Sequence, residues 1–595
     1  MENGTTTSSV ASPYSLYVHA SKILHYLASG TKSDSPPLLP HELSSPNHRR
    51  GVYDLAYNAY RYRDILEEIL EESDFFFRFF DLRDNAKLLL VILYDFQRRH
   101  FPSRRPSFST TRRPFDVTAD VEEIVDALHV HRVKLSAALA RARVKTNSLD
   151  MTGMLRFIER GAVSLSTRQP LCARVNSLRI DAYEVVQRLK EQGWNLAMKR
   201  ELEMGEIRLD PVVDDLLLFS PSAKSSMLQE NPLFTDGMLV LEDHVDALVA
   251  ASLGTLIADA GNVILTPAPS EGLVSHVATM ITGRKRIVYV VNAEPRRQEA
   301  IEEGLRLQGI NNVKFVSDSL AHANPSQFKN VKLIVVAPPS TNSCVINPVD
   351  HLAIHGDIDL DSIPSSAESC ESRLPKFSAE QQNHLMSALR FPEVEAVAYF
   401  VRSHNHAETE LVVTSALDRV KRPDVAVEED PSQPSRPFQV YYSDVMYSLR
   451  DMQQGTELDD GPSLKLPSAE TKSDTSTGNK CLQVDPSNMC NGFSLAILRR
   501  KPKAVRVPTP AREVLRRATV QGLLDMKYAN GEQESSAPPK KKSTKKRSVK
   551  RRPSTLMKLT QAARNRIAQS SARQKSATTT TSATKDPKMY QKPFK

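Results

Sequence analysis

Two short stretches bring together side chains whose types could do chemistry. Residues 337–344 hold a hydroxyl, Ser340, and a thiol, Cys344. Residues 402–410 hold a guanidinium, Arg402, two imidazoles, His404 and His406, and two carboxylates, Glu408 and Glu410. Nucleophilic catalysis is the chemistry to test first. Cysteine reacts as thiolate and reaches that state nearer neutral pH than any hydroxyl reaches alkoxide. Ser340 would need a dedicated base. Arg402 stays protonated and cannot attack. His404 and His406 have the type for acid–base work, and a polar loop is the simpler account of them.

The elements that must position these stretches are legible. Residues 331–336 are an apolar β-type run that stops at Pro338 and Pro339, and residues 394–401 are a second such run. Between them, Leu385, Met386 and Leu389 recur at helical spacing, with Ser378 placed to cap a helix over 378–389 and Gln381 three residues on. A helical segment, 411–417, follows the second run. Strand, loop, helix, repeated, is the grammar of an open parallel sheet. Chemistry in such sheets collects beyond the carboxyl ends of the strands. Upstream, residues 261–272 read as a strand and small-residue loop leading into a helix over 273–282. That is the usual cradle for a nucleotide-like ligand, because the helix N-terminus supplies backbone N–H donors. A strand ending at Asn292, a helix over 296–308 and a strand over 313–316 ending near Asp318 continue the alternation.

Residue for residue, this layout resembles the Nol/Nop/Sun (RsmB-like) family of RNA cytosine-5 methyltransferases. The family carries Asp-Pro-Pro-Cys-Ser-Gly after one strand; this chain has Ala337, Pro338, Pro339, Ser340, Thr341 and Asn342. The family carries Tyr-Ser-Thr-Cys-Ser, then Glu-Asn-Glu and two valines, after the next. Here stand Tyr399, Phe400, Val401, Arg402 and Ser403, with Glu408, Thr409, Glu410, Val412 and Val413 in register. The resemblance to a member of this family continues outside the catalytic core at both ends.

The resemblance implies a reaction in which a cysteine thiolate adds to carbon 6 of cytosine, making carbon 5 enamine-like, and a second cysteine assists product release. Arg402 occupies the nucleophile position and Ser340 the second cysteine position. Cys344, four residues on from Ser340, is the candidate for a relocated nucleophile, although catalytic placement has to be good to about an ångström.

The implied cofactor is S-adenosyl-L-methionine. Its family loop reads Asp-x-Cys-Ala-Ala-Pro-Gly-x-Lys-Thr, against which this chain sets Leu265, Thr266, Pro267, Ala268, Pro269, Ser270, Glu271, Gly272, Leu273 and Val274. The acid, the tight-turn glycine and the lysine are each replaced. Two prolines remove N–H donors, and Glu271 meets a carboxylate with the wrong charge. Asn292 stands for the acid at the ribose hydroxyls and accepts without charge assistance. Asp318 matches the acid beside the adenine, and Ala337 stands for the aspartate that opens the Asp-Pro-Pro motif. The expected cofactor positions are therefore Pro267, Ala268, Ser270, Glu271, Leu273, Asn292, Asp318 and Ala337. His351 and His355, with Asp357 and Asp359, have the residue types of a metal site. The family names no metal there, and none is expected.

Before the core, residues 171–178 with a helix over 180–192 resemble the family's small RNA-facing subdomain, whose strand carries Arg-x-Asn. Arg174 and Asn176 match it. An arginine on such a face grips phosphate bidentately, and a strand with polar residues toward solvent is the alternative.

The chain has 595 residues, 40% of them hydrophobic, which bounds it at two to four domains. Five scattered cysteines without a Cys-x-x-Cys pair argue against a disulfide framework or a zinc site and fit a reducing compartment. No signal peptide or membrane span is visible. From Ser535 onward 18 Lys and Arg face a single acid, Asp586, a net of +17; the total of +9 leaves −8 on the rest. Lys540, Lys541, Lys542, Lys545, Lys546, Arg547, Lys550, Arg551 and Arg552 form a cluster suited to phosphate binding or to a nuclear address.

The expected architecture is α/β. A Rossmann-like S-adenosylmethionine-dependent methyltransferase domain over 236–500, mostly parallel with an antiparallel last strand, carries a flexible insert near 452–480. It is preceded by an α+β RNA-facing subdomain over 161–235, a helical domain over 51–160 that could take protein partners, and a mostly disordered 1–50. A helix within 501–530 and a disordered basic tail over 531–595 close the chain. The function expected is RNA binding on a methyltransferase scaffold with degenerate catalytic motifs. The alternatives are an active methyltransferase using Cys344, or a nuclear protein–protein adaptor. RNA is the expected partner and no membrane is expected.

Overall fold

The structure is a computed structural model and describes residues 13–29, 37, 39–40, 46–103, 117–199, 201–223, 231–259, 261–282, 286–356, 360, 367–391, 393–421, 437–453 and 480–501. Residues 1–428 with 440–499 form one compact unit, and 429–439 with 500–595 form another, of which only 437–439, 500 and 501 are described. The basic cluster 540–552 and the helix expected within 501–530 lie outside the described residues.

Helices dominate the chain up to residue 166. Pro13–Ser29, Pro46–Arg61, Arg63–Glu72, Ala86–Arg98 and Val117–Lys145 enclose one core that includes Ile23, Leu24, Val52, Tyr53, Leu66, Leu89 and Leu128. The first of these lies within residues 1–50 and docks on the helical core. Its Ile23 and Leu24 are fully buried, and Tyr17 donates to Asp95 Oδ2 at 2.5 Å. The run Phe75–Phe80 divides by side. Phe75 packs edge-on against His131, while Phe77 and Phe80 stay exposed.

Five strands then form a small sheet: β1 (Leu171–Val175), β2 (Asn195–Leu196), β3 (Glu206–Leu209), β4 (Leu216–Phe219) and β5 (Leu239–Leu241), in the order β2-β3-β4-β1-β5. The helix Ala182–Glu191 covers one face with Val185, Val186 and Leu189. The opposite face carries Cys172, Leu216 and Leu218 into the main core, beside Val245 and Leu248. Both faces are therefore covered, and all five residues of β1 are buried.

The main sheet contains β6 (Asn262–Thr266), β7 (Val288–Val291), β8 (Val313–Val316), β9 (Val331–Val336), β10 (Ala396–Val401), β11 (Phe438–Tyr441), β12 (Leu482–Val484) and β13 (Phe493–Arg500). The order is β11-β13-β10-β9-β6-β7-β8, with β12 paired to β13. The pairs β10/β9, β9/β6, β6/β7 and β7/β8 are parallel, and β13 joins β10 antiparallel, as expected for the last strand. Near-continuous Val, Ile and Leu runs fit strands covered on both faces. This is the Rossmann-like methyltransferase fold. One local expectation fails: the helix before β10 runs Ala367–Leu389 with Pro375 inside it, so Ser378 is interior and its Oγ donates to Leu374 O at 2.9 Å rather than capping.

Among the described residues, no helix is long and apolar enough to cross a membrane.

Candidate functional site

Parallel alignment of β6, β9 and β10 brings three loops to one edge of the sheet, and the helix His244–Ser252 closes the space between them. Arg402, one residue past β10, lies there almost fully buried. Its Nη1 is 2.9 Å from Asp243 Oδ2 and its Nη2 is 2.7 Å from Asp246 Oδ1. Asp243 caps the helix, its Oδ1 accepting from Val245 N at 2.9 Å. Asp246 lies one turn on and accepts from Ser270 Oγ in the cofactor-type loop at 2.5 Å. His351 and His355, on the helix Pro348–His355, complete the cluster. Their rings stack 4.2 Å apart, and His355 Nε2 lies 3.1 Å from Asp243 Oδ2.

The electrostatics follow from burial. Burial opposes ionisation of Asp243, but Arg402 and the two histidines outweigh it and hold the carboxyl well below its ordinary range. Burial pushes Asp246 up to about 7 despite Arg402, with the neighbouring Asp243 charge adding to the rise. Burial also drives His355 down to about 4. A guanidinium fixed by two carboxylates occupies the family's nucleophile position, and it can neither attack carbon 6 nor give up a proton.

Ser340, at the second cysteine position, is buried, and its Oγ donates to Asn342 Oδ1 at 2.9 Å. The same loop is held by Glu408. One carboxylate oxygen accepts from Thr341 N at 2.8 Å and Gln381 Nε2 at 3.0 Å, and the other accepts from Thr341 Oγ1 at 2.5 Å. Cys344 does not make a relocated nucleophile. It is buried, its backbone N–H donates to Arg402 O and its carbonyl accepts from Gly492 N. Burial pushes its thiol up to about 12, so thiolate is scarce at neutral pH.

The cofactor positions are dispersed in environment. Ala268 and Leu273 are buried in the core, Pro267 and Ala337 are half-buried, and Asn292 and Asp318 are exposed at the ends of β7 and β8. Ser270 Oγ already accepts from Leu273 N at 3.2 Å and caps the helix Glu271–Ile281, consuming a donor that a ligand carboxylate would use. Glu271 packs against Gly304, accepts from Gln308 Nε2 at 2.9 Å, and burial pushes it up to about 7. Prolines in the loop, a spent cap and an acid at the helix start do not fit the methionyl carboxylate of S-adenosylmethionine. No transfer step is derived through that cofactor.

Arg174 and Asn176 correct the RNA-gripping expectation. Both are fully buried. Arg174 Nε donates to Glu242 Oε2 at 2.6 Å, and its Nη2 donates to Ser275 Oγ at 2.9 Å and Gln308 Oε1 at 3.3 Å. Asn176 Nδ2 donates to Gly237 O at 2.8 Å and Gln308 O at 2.9 Å. Gly237 sits at φ 65°, and a Cβ there would come 2.6 Å from Leu307 O. These residues dock the small sheet on the core, where no phosphate can reach them.

Sequence reasoning missed Asp243 and Asp246. The available signal was an arginine predicted at the end of a buried strand, which requires counter-charges, and two aspartates one turn apart at the start of a helix.

Residues 169–242 match the NOL1/NOP2/Sun domain family member 5 ferredoxin-like domain. The chain is 26% identical over 490 residues to the Homo sapiens protein called "Putative methyltransferase NSUN7", covering 81% of this chain and 63% of that one, so it spans less than two thirds of that relative's length. It is 24% identical over 405 residues to the Schizosaccharomyces pombe 25S rRNA (cytosine-C(5))-methyltransferase rcm1, covering 68% of this chain and 79% of that one. A solved methyltransferase homolog protein from Pyrococcus horikoshii aligns over 61% of this chain and 98% of its own at 16% identity and a TM-score of 0.34. The match of the small sheet to the ferredoxin-like module and the similarity to these methyltransferases over most of the chain together support membership of the Nol/Nop/Sun family.

Proposed function

We propose that this chain binds RNA on a methyltransferase scaffold and does not itself methylate cytosine. The observation that carries the reading is Arg402. It stands where the family's nucleophile stands, 2.9 and 2.7 Å from the carboxylates of Asp243 and Asp246. Arginine is charged throughout the accessible pH range, so no shift in conditions turns it into a nucleophile. The buried Cys344 thiol and the spent cofactor loop support the same conclusion.

RNA is the substrate class of the relatives named as rRNA cytosine-C(5)-methyltransferases. The +17 charge beyond residue 534 adds a phosphate-binding arm, which also serves as a nuclear address. S-adenosylmethionine binds weakly or not at all on this reading.

Three measurements test it. Labelled methyl from S-adenosylmethionine should not enter cytosine-containing RNA, and 5-azacytidine-substituted transcripts should form no covalent adduct with the chain. An adduct refutes the reading. Calorimetry should give no saturable heat with S-adenosylmethionine. RNA affinity should fall steeply with salt and persist, weakened, when residues 535–595 are removed. Loss of all RNA binding with the tail, and retention of a protein partner, would favour an adaptor instead.

A further inference from the structure

We propose that Asp243, His351 and His355 form a binding site for a divalent transition metal of the zinc class, built where the family's reacting thiol stands. His351 and His355 are four residues apart on the helix Pro348–His355 and so project from one face. Their ring nitrogens converge on a single carboxylate oxygen: His355 Nε2 is 3.1 Å and His351 Nδ1 3.8 Å from Asp243 Oδ2. The three ligand atoms all lie within 4.8 Å of one another. A tetrahedral ion with bonds of about 2.0–2.1 Å separates its ligand atoms by roughly 3.3–3.4 Å. The two carboxylate–imidazole spacings, 3.1 and 3.8 Å, bracket that value.

Three further features point the same way. Asp243 Oδ1 is held by Val245 N, which fixes the carboxylate with Oδ2 directed at the histidines. His355 Nε2 faces an acceptor, Asp243 Oδ2, and at 3.4 Å a donor, Arg402 Nη2. A neutral imidazole nitrogen cannot both donate and accept, whereas an ion takes the lone pairs of nitrogen and carboxylate together. A cavity of about 40 Å³ lined by Asp243, His351, His244 and Cys490 adjoins the group, enough for a water as fourth ligand. Two imidazoles and a carboxylate suit Zn²⁺ or Co²⁺ better than Mg²⁺ or Ca²⁺.

In the metal-free chain the guanidinium of Arg402 supplies the positive charge at this point. When the ion binds, Arg402 releases Asp243 and keeps Asp246, 2.7 Å from Nη2. Metal and arginine therefore compete for one oxygen. The ion ties the helix Pro348–His355 to the start of the helix His244–Ser252.

The test uses the full chain with Zn²⁺ or Co²⁺ alone, against a chromophoric chelator. One equivalent should bind. The Co²⁺ form should show the visible bands of a four- or five-coordinate site, without thiolate-to-cobalt charge transfer. His355→Ala and Asp243→Asn should each weaken Zn²⁺ by about 100-fold. Asn caps as well as Asp does, but Asp243→Asn leaves Arg402 with Asp246 alone, so circular dichroism of each variant separates lost ligation from lost folding. Arg402→Met should tighten binding by about tenfold, because a cation leaves the ligand oxygen. Zn²⁺ affinity indifferent to Asp243→Asn and His355→Ala overturns the proposal. So does a thiolate band, which would assign the metal to Cys490. So does failure of both the unsubstituted chain and Arg402→Met to bind.

Discussion

Replacing Arg174 by methionine separates a docking residue from an RNA contact. Arg174 and Glu242 are both fully buried, with Nε 2.6 Å from Oε2. Glu242 is held below its ordinary range by His276 and Arg174 against the opposing effect of burial. Methionine fills the volume of the arginine stem but leaves the Glu242 carboxylate with His276 Nδ1, at 2.6 Å, as its remaining close side-chain partner. Removing one member of a buried ion pair costs about 3–5 kcal/mol. The retained histidine places this case near the lower end, about 3 kcal/mol. At a urea slope of about 1–3 kcal/mol/M the midpoint should fall by roughly 1–3 M. The chain has one tryptophan, Trp194, which packs edge-on against Phe219 in the same small sheet, so its fluorescence reports the module that Arg174 anchors. Adding Glu242→Gln should recover much of the loss, because it removes the stranded charge. RNA affinity of the folded variant should not change. A midpoint that stays put, with RNA affinity lowered, would refute the docking assignment and restore the phosphate grip.

Cys344, its thiol pushed up to about 12 by burial, should resist iodoacetamide in the native chain from pH 7 to 9 and react on unfolding; ready native alkylation would reopen the relocated-nucleophile reading. Glu271 is raised to about 7 by burial, so the native chain favours its protonated form. The cost of ionising it enters as pH rises from its ordinary range near 4.5 through about 7. Glu271→Gln should then match the unsubstituted chain near pH 4 and exceed it in melting temperature at pH 8, and equal melting at both would count against the burial. Glu408→Ala strips two hydrogen bonds from the 337–344 loop and a third from Gln381, which should cost about 2–3 kcal/mol and speed hydrogen exchange at the Thr341 amide; unchanged exchange would dismiss the clamp.

The main sheet was legible where Val- and Ile-rich runs end at or near proline or asparagine and lead on to a helix, as β6, β7 and β9 do. Arg174 was not legible. Residues 171–175 alternate as a strand with one solvent face would, and periodicity cannot tell solvent from a second packed layer. The layer is the helix His244–Ser252, more than sixty residues on, which takes Cys172 and Leu216 into its own core. Ser378 misled for a local reason: Pro375 reads as a helix break, yet the helix Ala367–Leu389 runs through it. The Arg402 cluster was only half visible. The substitution could be read off one line, but its partners Asp243 and Asp246 lie about 156 residues away, as the Arg402–Asp246 bond records. Asp357 and Asp359, grouped with His351 and His355 by residue type, lie outside the described residues; among the described residues Asp243 lies beside the histidines.

The altered residues of the site depend on one another. A buried guanidinium without counter-charge costs several kcal/mol, so arginine at 402 is tolerable only with Asp243 and Asp246 beside it. Burial, with the Asp243 charge adding to it, pushes Asp246 up to about 7 even with Arg402 present, so the two carboxylates in turn rely on the cation between them. Asp246 draws its remaining hydrogen bond from Ser270, which commits the cofactor-type loop to the same network. Restoring cysteine at 402 would therefore not restore the chemistry. It would strand two buried acids facing the thiol, whose pKa they would raise, and leave Ser270 and Glu271 where a carboxylate ligand has to dock. On the proposed reading, the substituted nucleophile position and the cofactor-type loop are one network, joined through Asp246, which holds Arg402 on one oxygen and Ser270 on the other.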